Sequence, residues 1–286
     1  MQINTKTKIQ LFKPVEDLDF TDDFMFCTVL EEHKDICKEI IELLLNIRVA
    51  DIEYVNKQQS FKPRYETKGI RLDVFVKDSE RVIDLEMQTK IPPAIEKRVR
   101  YYQSVMDISE LERGKGYDEV KDSYVVFLCL KDPFRDKYPI YTLKQTIEEN
   151  PGIDYNDGRH VVFFNAAAYK DATSEKIKSF LEYLSTKVSK DELTDKIDNI
   201  VSSTKIKEEF GRNYMIANMR DIMMKKQAFN EGLAEGLAEG KQSSKIETAR
   251  NLLVEKLPLD QVARCTELPL ETVEQLAKEI KQLHSN

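Results

Sequence analysis

Two acidic residues stand in a setting suited to metal-ion chemistry. Asp73 lies within Ile70-Arg71-Leu72-Asp73-Val74-Phe75-Val76, and Glu86 within Arg81-Val82-Ile83-Asp84-Leu85-Glu86-Met87-Gln88. Side chains alternate across a β-strand. Ile70, Leu72, Val74 and Val76 are therefore expected on one face, with Arg71, Asp73 and Phe75 on the other. In the second run Ile83, Leu85 and Met87 oppose Asp84, Glu86 and Gln88. The polar stretch Lys77-Asp78-Ser79-Glu80 between them reads as a hairpin turn. Antiparallel pairing would bring Asp73 and Glu86 together from neighbouring strands, with Gln88 on the face of Glu86. Two carboxylate oxygens and a backbone carbonyl suit a hard divalent cation such as Mg²⁺. Such an ion acidifies a bound water and offsets charge developing on a phosphate. On an isolated hairpin the same residues would simply be solvated. Here a covered sheet follows, and a polar trio on a covered face requires partners.

The elements that must position this pair can be read outward from it. Thr21 to Asn46 is predicted helical, across one helix or two short ones, with Thr21 as its cap and Phe24, Val29, Ile36, Ile40, Ile41, Leu44 and Leu45 recurring at helical spacing. A strand is predicted over Ile52 to Gln59, then a loop through Pro63 to Gly69. Pro92 and Pro93 suit the first turn of a helix whose inner stripe is Ile95, Val99, Tyr102 and Met106 and whose flanks carry Lys97, Arg98 and Arg100. Ser123 to Leu130 is continuously apolar beyond its first residue and reads as a central strand covered on both sides. A short strand at His160 to Asn165 and helices from Ser174 follow. The fold class this predicts is α/β: a mixed sheet of four or five strands flanked by helices, then an α-helical tail. The expected division is a domain over 1–190, a helical linker over 191–245 and a small helical hairpin module over 246–286. The linker helix, Thr204 to Lys241, repeats Glu-Gly-Leu-Ala at Glu231 and Glu235, which spaces Gly232, Gly236 and Gly240 by four. That spacing permits close helix packing and so self-association; it is equally the composition of a weak, replicated linker. The last forty residues have a helix-turn-helix outline, but Glu271, Glu274 and Glu279 on the second helix would repel phosphates.

Composition narrows the class. With 33% charged and 41% hydrophobic residues among 286, the chain reads as a soluble globular protein with many exposed helical faces. No apolar stretch approaches the length that spans a bilayer, the cluster Ile40 to Leu45 is broken by Glu42, and Met1 to Lys13 has no signal-peptide centre, which points to a cytoplasmic protein without a membrane partner. The four cysteines and three histidines are dispersed, with no zinc-type or disulfide-type spacing. The net charge of −7 argues against DNA binding by the whole surface, though not against a local basic groove.

The run Gly69-Ile70-Arg71-Leu72-Asp73-Val74-Phe75-Val76, followed by Asp84-Leu85-Glu86-Met87-Gln88, resembles the strand pair of the PD-(D/E)XK nucleases, which have a restriction-endonuclease-like fold. More narrowly it resembles the PD-(D/E)XK transposases or recombination-promoting (Rpn-type) nucleases. Phe20-Thr21-Asp22-Asp23-Phe24-Met25-Phe26 is similar to that family's N-terminal signature, and Arg98-Val99-Arg100-Tyr101-Tyr102-Gln103-Ser104 to its post-motif helix; Asp132-Pro133-Phe134 and Tyr141 also match its layout. The resemblance implies a metal-dependent DNA endonuclease linked to recombination or mobile elements. It implies Asp73 and Glu86 as ligands of Mg²⁺, with Mn²⁺ able to substitute, and an acid from the first helical region, Glu39 or Glu42, as the third. Gln88 takes the place held by lysine in the general motif, and Lys90 is a substitute if the strand continues. Lys97, Arg98, Arg100 and Tyr101 would follow the DNA backbone, or be an ordinary solvated helix flank. The rival readings are a catalytically silent binding protein on the same fold, and an oligomer, such as a homodimer, working through its C-terminal helices.

Overall fold

The computed structural model describes residues 12–49, 52, 54–61, 70–111, 114–153 and 155–283. The expected Pro63–Gly69 loop, most of the Met1–Lys13 segment and His284 lie outside them. The chain divides into two compact units, 1–214 and 215–286.

The predicted first helix is two: α1 (Asp23–Glu32) and α2 (Lys34–Leu45), separated at His33, whose φ of −119° and ψ of 78° leave the helical region. α1 buries Met25 through Leu30 without interruption, so it is enclosed on all sides rather than amphipathic. Thr21 does not cap it. Asp22 takes the cap position, and the Thr21 backbone N–H and hydroxyl both donate to Asp19. α2 buries one stripe, Ile36, Cys37, Ile40, Ile41 and Leu44, and ends at Asn46 in the left-handed region.

The sheet has six strands among the described residues, more than the four or five expected, in the order β1-β2-β3-β4-β6-β5. β1 (Tyr54–Phe61), β2 (Ile70–Lys77) and β3 (Arg81–Gln88) form an antiparallel meander. α3 (Ile95–Glu110) then carries the chain to β4 (Asp122–Cys129), parallel to β3. β6 (Arg159–Asn165) lies parallel to β4, and β5 (Ile140–Leu143) closes the edge antiparallel to β6. β5 is four residues long and nowhere buried, so it lacks the apolar signal that marks the other strands.

The sheet separates two cores. One joins α1, α2, α4 (Glu175–Thr186) and α5 (Glu192–Lys205) to Val74, Val76, Ile83, Leu85, Val126 and Leu128. The other packs Val99, Tyr102, Val105 and Met106 of α3 on Phe75, Val82, Val125, Phe127 and Phe163. α6 (Glu208–Val254) runs well past the expected end at Lys241. In the second unit its last turns share an apolar cluster with α7 (Leu259–Thr266) and α8 (Leu270–Leu283), built on Ala249, Val262, Leu268, Val273 and Leu276.

Asp132 holds the turn that leaves β4. It accepts hydrogen bonds from the backbone N–H groups of Phe134, Arg135 and Lys137 and from the Tyr141 hydroxyl. Burial alone would raise its pKa, but these donors hold the carboxyl below its usual value. Asp132→Ala would leave the turn's donors to water and is expected to cost about 0.5–1.5 kcal/mol, read as a lower urea midpoint, with Asp132→Asn recovering part of the loss.

Candidate metal centre where two strands part

The β2–β3 ladder runs from Lys77↔Val82 to Val74↔Leu85 and ends there, although both strands continue. β3 stays paired with β4 as far as Gln88↔Cys129, so the opening lies between β2 and β3 alone. At this fork side chains replace the backbone ladder. The Asp73 N–H donates to Glu86 Oε1 at 3.1 Å, and the Met87 N–H donates to Asp73 Oδ2 at 3.1 Å. The two carboxylates are thus set beside each other by reciprocal bonds to each other's strands.

The regular alternation expected for β2 also breaks here. Leu72 packs with Phe75 in the core under α3, while Val74 and Val76 pack in the core under α1 and α2. The expected common face of Leu72, Val74 and Val76 is therefore interrupted at Asp73. Ligand atoms of Asp73 and of Asp23 and Cys27, both on α1, lie within 4.8 Å of one another.

Glu86 is fully enclosed, and Asp84 beside it likewise. Gln88 Nε2 donates to Glu86 Oε2 at 3.0 Å, and Arg98 Nη2 stands 3.5 Å from the same oxygen. Arg98 in turn donates through Nε to the Tyr102 hydroxyl and lies over the Tyr102 ring, 5.0 Å from its centroid. Neither Asp84 oxygen has a hydrogen-bond partner among the described residues. Burial raises the Asp84 pKa well above the usual carboxylate value, the neighbouring Asp73 adds to this, and Arg98 opposes it. Burial likewise raises Glu86, reinforced by Asp84 and opposed by Arg98 and the Asp73 N–H. For Arg98, burial works against the charge, but Glu86 and Tyr102 outweigh it and its pKa rises.

Four carboxyls, Asp23, Asp73, Asp84 and Glu86, meet here with the single guanidinium of Arg98 against them, an excess of negative charge that fits a divalent cation. Asp73 and Asp23 offer grouped hard oxygen donors, as Mg²⁺ or Mn²⁺ requires, with Cys27 as the softer neighbour, and Glu86 stands beside Asp73 on the adjoining strand.

The other expected site residues fall in different places. Glu42 accepts a hydrogen bond from the Val49 N–H at 2.9 Å beyond the end of α2. With Glu39 it lines a separate pocket whose other walls include Ser174 and Asp191. The helical acid brought to Asp73 is Asp23 instead. Its one signal in the sequence is its place in the Phe20–Phe26 segment, where nothing in the spacing separates a ligand from a helix-capping acid. β3 ends at Gln88, so Lys90 is not one step along the strand; it sits in the exposed bend after it. Lys97, Arg100 and Tyr101 are on the exposed side of α3. Arg98, grouped with them on sequence, turns inward to Glu86.

The family model of the PD-(D/E)XK nuclease family transposases matches residues 18–225 of the 286. The chain belongs to this family. The match takes in every strand of the sheet, the fork, and helices α1 to α5. The α/β sheet flanked by helices is consistent with the restriction-endonuclease-like fold of PD-(D/E)XK proteins, which generally use divalent metals. Comparison with curated proteins and with solved structures gave no match. Among the described residues no helix is long and apolar enough to cross a membrane.

Proposed function

We propose that this PD-(D/E)XK protein is a divalent-metal-dependent DNA endonuclease acting in recombination or mobile-element movement, in the cytoplasm. The observation that carries the reading is the fork itself: two carboxylates, each hydrogen-bonded to the other's strand, at the point where the ladder opens. Asp73, Glu86 and Asp23 would hold Mg²⁺, with Mn²⁺ as substitute. When bound, that ion supplies an acidified water and compensation for phosphate charge. The chain's part is orientation. The Asp73 and Met87 N–H groups fix the two carboxylates, and the Gln88 amide holds Glu86 Oε2 in place. Lys90, in the exposed bend beyond Gln88, would meet a phosphate, and Lys97, Arg100 and Tyr101 would offer the first turns of α3 to the DNA backbone.

Supercoiled plasmid incubated with the protein in Mg²⁺, Mn²⁺ or EDTA tests this. Nicking or linearisation is expected with either metal and not with EDTA, and it should vanish in Asp73→Ala. Cleavage that persists in Asp73→Ala would sink the assignment. No cleavage by the wild type would favour the binding-protein reading that Gln88, in place of the motif lysine, keeps open. For the helix surface, Lys97→Ala/Arg100→Ala is expected to weaken fluorescent-duplex binding in Ca²⁺. The slope of log K against log salt should fall by about 1–2, one for each phosphate that is no longer neutralised. An unchanged slope would remove these residues from the interface.

The homodimer expected of the C-terminal helices has its candidate surface on α6, where Met219, Met223, Leu233 and Leu237 are exposed and a Cβ at Gly232, Gly236 or Gly240 would meet open space. Light scattering of the full chain beside Leu233→Glu/Leu237→Glu tests it; the wild type is expected at twice the variant's mass.

A further inference from the structure

We propose that Arg98 supplies from α3 the positive charge that a lysine at position 88 would bring to the site, and that it does so by sharing Glu86 Oε2 with Gln88. This rests on the nuclease reading above.

The geometry is a convergence on one atom. Gln88 Nε2 reaches Glu86 Oε2 at 3.0 Å and Arg98 Nη2 approaches it at 3.5 Å. An amide at position 88 can hold that oxygen, but it brings no charge. The charge comes from the neighbouring helix. Arg98 acts electrostatically on both enclosed carboxyls, Asp84 and Glu86, and is itself acted on by Asp73. It therefore bears on the whole acidic group and not on Glu86 alone.

Arg98 is also held as a preorganised group. Its Nε bonds the Tyr102 hydroxyl and its guanidinium lies over the Tyr102 ring, a stacking geometry open to arginine and not matched by lysine. Glu86 is fully enclosed, whereas the Arg98 side chain keeps 35% of its surface exposed. The Arg98 side chain thus reaches from the buried carboxylate to solvent, where a phosphate could meet it. Five N–H donors in a planar fork allow one edge to hold Glu86 while another meets a phosphate oxygen. A cation so placed favours the extra negative charge of phosphoryl transfer over the ground state, which raises kcat more than it lowers KM. The plainer role is a salt bridge that neutralises a buried carboxylate. That role predicts a loss of stability that a charge at position 88 would relieve, with kcat unchanged once melting temperatures are matched.

A mutant cycle separates the two: wild type, Arg98→Ala, Gln88→Lys and the double variant, with Arg98→Gln as a bulkier replacement should alanine lower the melting temperature. Plasmid cleavage in Mg²⁺ is one readout. The other is calorimetric binding of Mn²⁺ alone, without DNA. Arg98→Ala is expected to lower kcat about 10²–10³-fold with KM changed far less. At a pH high enough to keep the carboxyls ionised, it should also tighten Mn²⁺ severalfold, because a repelling charge has gone. Adding Gln88→Lys to Arg98→Ala should restore at least a tenth of the lost kcat and return the Mn²⁺ affinity towards wild type. A double variant no better than Arg98→Ala in both readouts, at matched melting temperature, overturns the proposal, as does wild-type kcat in Arg98→Ala. If the wild type cleaves nothing, the nuclease reading fails first. The Mn²⁺ cycle then still decides whether Arg98 and position 88 share one electrostatic role.

Discussion

Glu86→Ala is expected to cut plasmid DNA in Mg²⁺ at least about 10³-fold more slowly than the wild type, while remaining folded. Glu86 is a fully enclosed acid of the fork, and its two oxygens accept from the Asp73 N–H and from Gln88 Nε2. On the proposed reading, truncation removes a metal ligand, and it also removes the group that pins the end of β2 to β3. Ligand loss alone forfeits several kcal/mol of charge stabilisation, and each 1.36 kcal/mol is tenfold in rate. The fold should survive, because β3 remains paired to β4 through Gln88↔Cys129 and the apolar cores on both sides of the sheet are untouched. Single-turnover cleavage, with far-ultraviolet circular dichroism and a melting curve on the same sample, checks both halves. Activity within tenfold of wild type would show that Glu86 holds nothing the reaction needs.

The metal-free protein is expected to lose stability as the pH rises above the ordinary carboxylate range, and Asp84→Asn should flatten that fall. Asp84 and Glu86 have folded-state pKa values well above their ordinary values of 3.8 and 4.5. The direction follows from proton counting. Between the ordinary value and the raised one, the folded chain holds protons that the unfolded chain has released. Stability is then complete below the unfolded pKa and decreases up to the folded one, by about 1.4 kcal/mol per pH unit for each such carboxyl. Asn at position 84 keeps the volume and removes the charge that would have to form in an enclosed space beside Asp73. If the site holds Mg²⁺ as proposed, saturating Mg²⁺ should counter the fall in the wild type, since a bound ion requires deprotonated carboxylates and stabilises only the folded state. Urea midpoints across pH, with and without Mg²⁺, give the result. A flat or rising profile for the metal-free wild type would mean that these carboxyls are already ionised in the fold.

Much of this architecture is legible from local pattern. β3 can be read to its observed bounds because Ile83, Leu85 and Met87 alternate with Asp84, Glu86 and Gln88. β4 announces itself as a continuous apolar run because both of its faces are covered. The inner stripe of α3, from Val99 to Met106, follows from its helical period. In each case burial acts residue by residue and leaves its mark on the order of side-chain types. β5 leaves no such mark, being short and unburied at the sheet edge. α1 blurs its period because it is enclosed all round.

By itself the sequence determined the strand pair, the candidate acids Asp73 and Glu86, the amide at Gln88 and the family to which these residues point. Tertiary structure alone decided which groups surround them. It showed that the β2–β3 ladder opens at Asp73, and that Asp23 and not Glu42 is the helical acid beside it. It also turned Arg98 inward to Glu86, though Arg98 and its neighbours Lys97 and Arg100 carry the same charge and similar spacing in the chain. The physical reason is range. Strand alternation and helical period are set by the backbone within a few residues. Convergence of Asp23, Asp73, Glu86 and Arg98 depends on how helices cross the sheet, and that is fixed by packing between residues far apart in sequence.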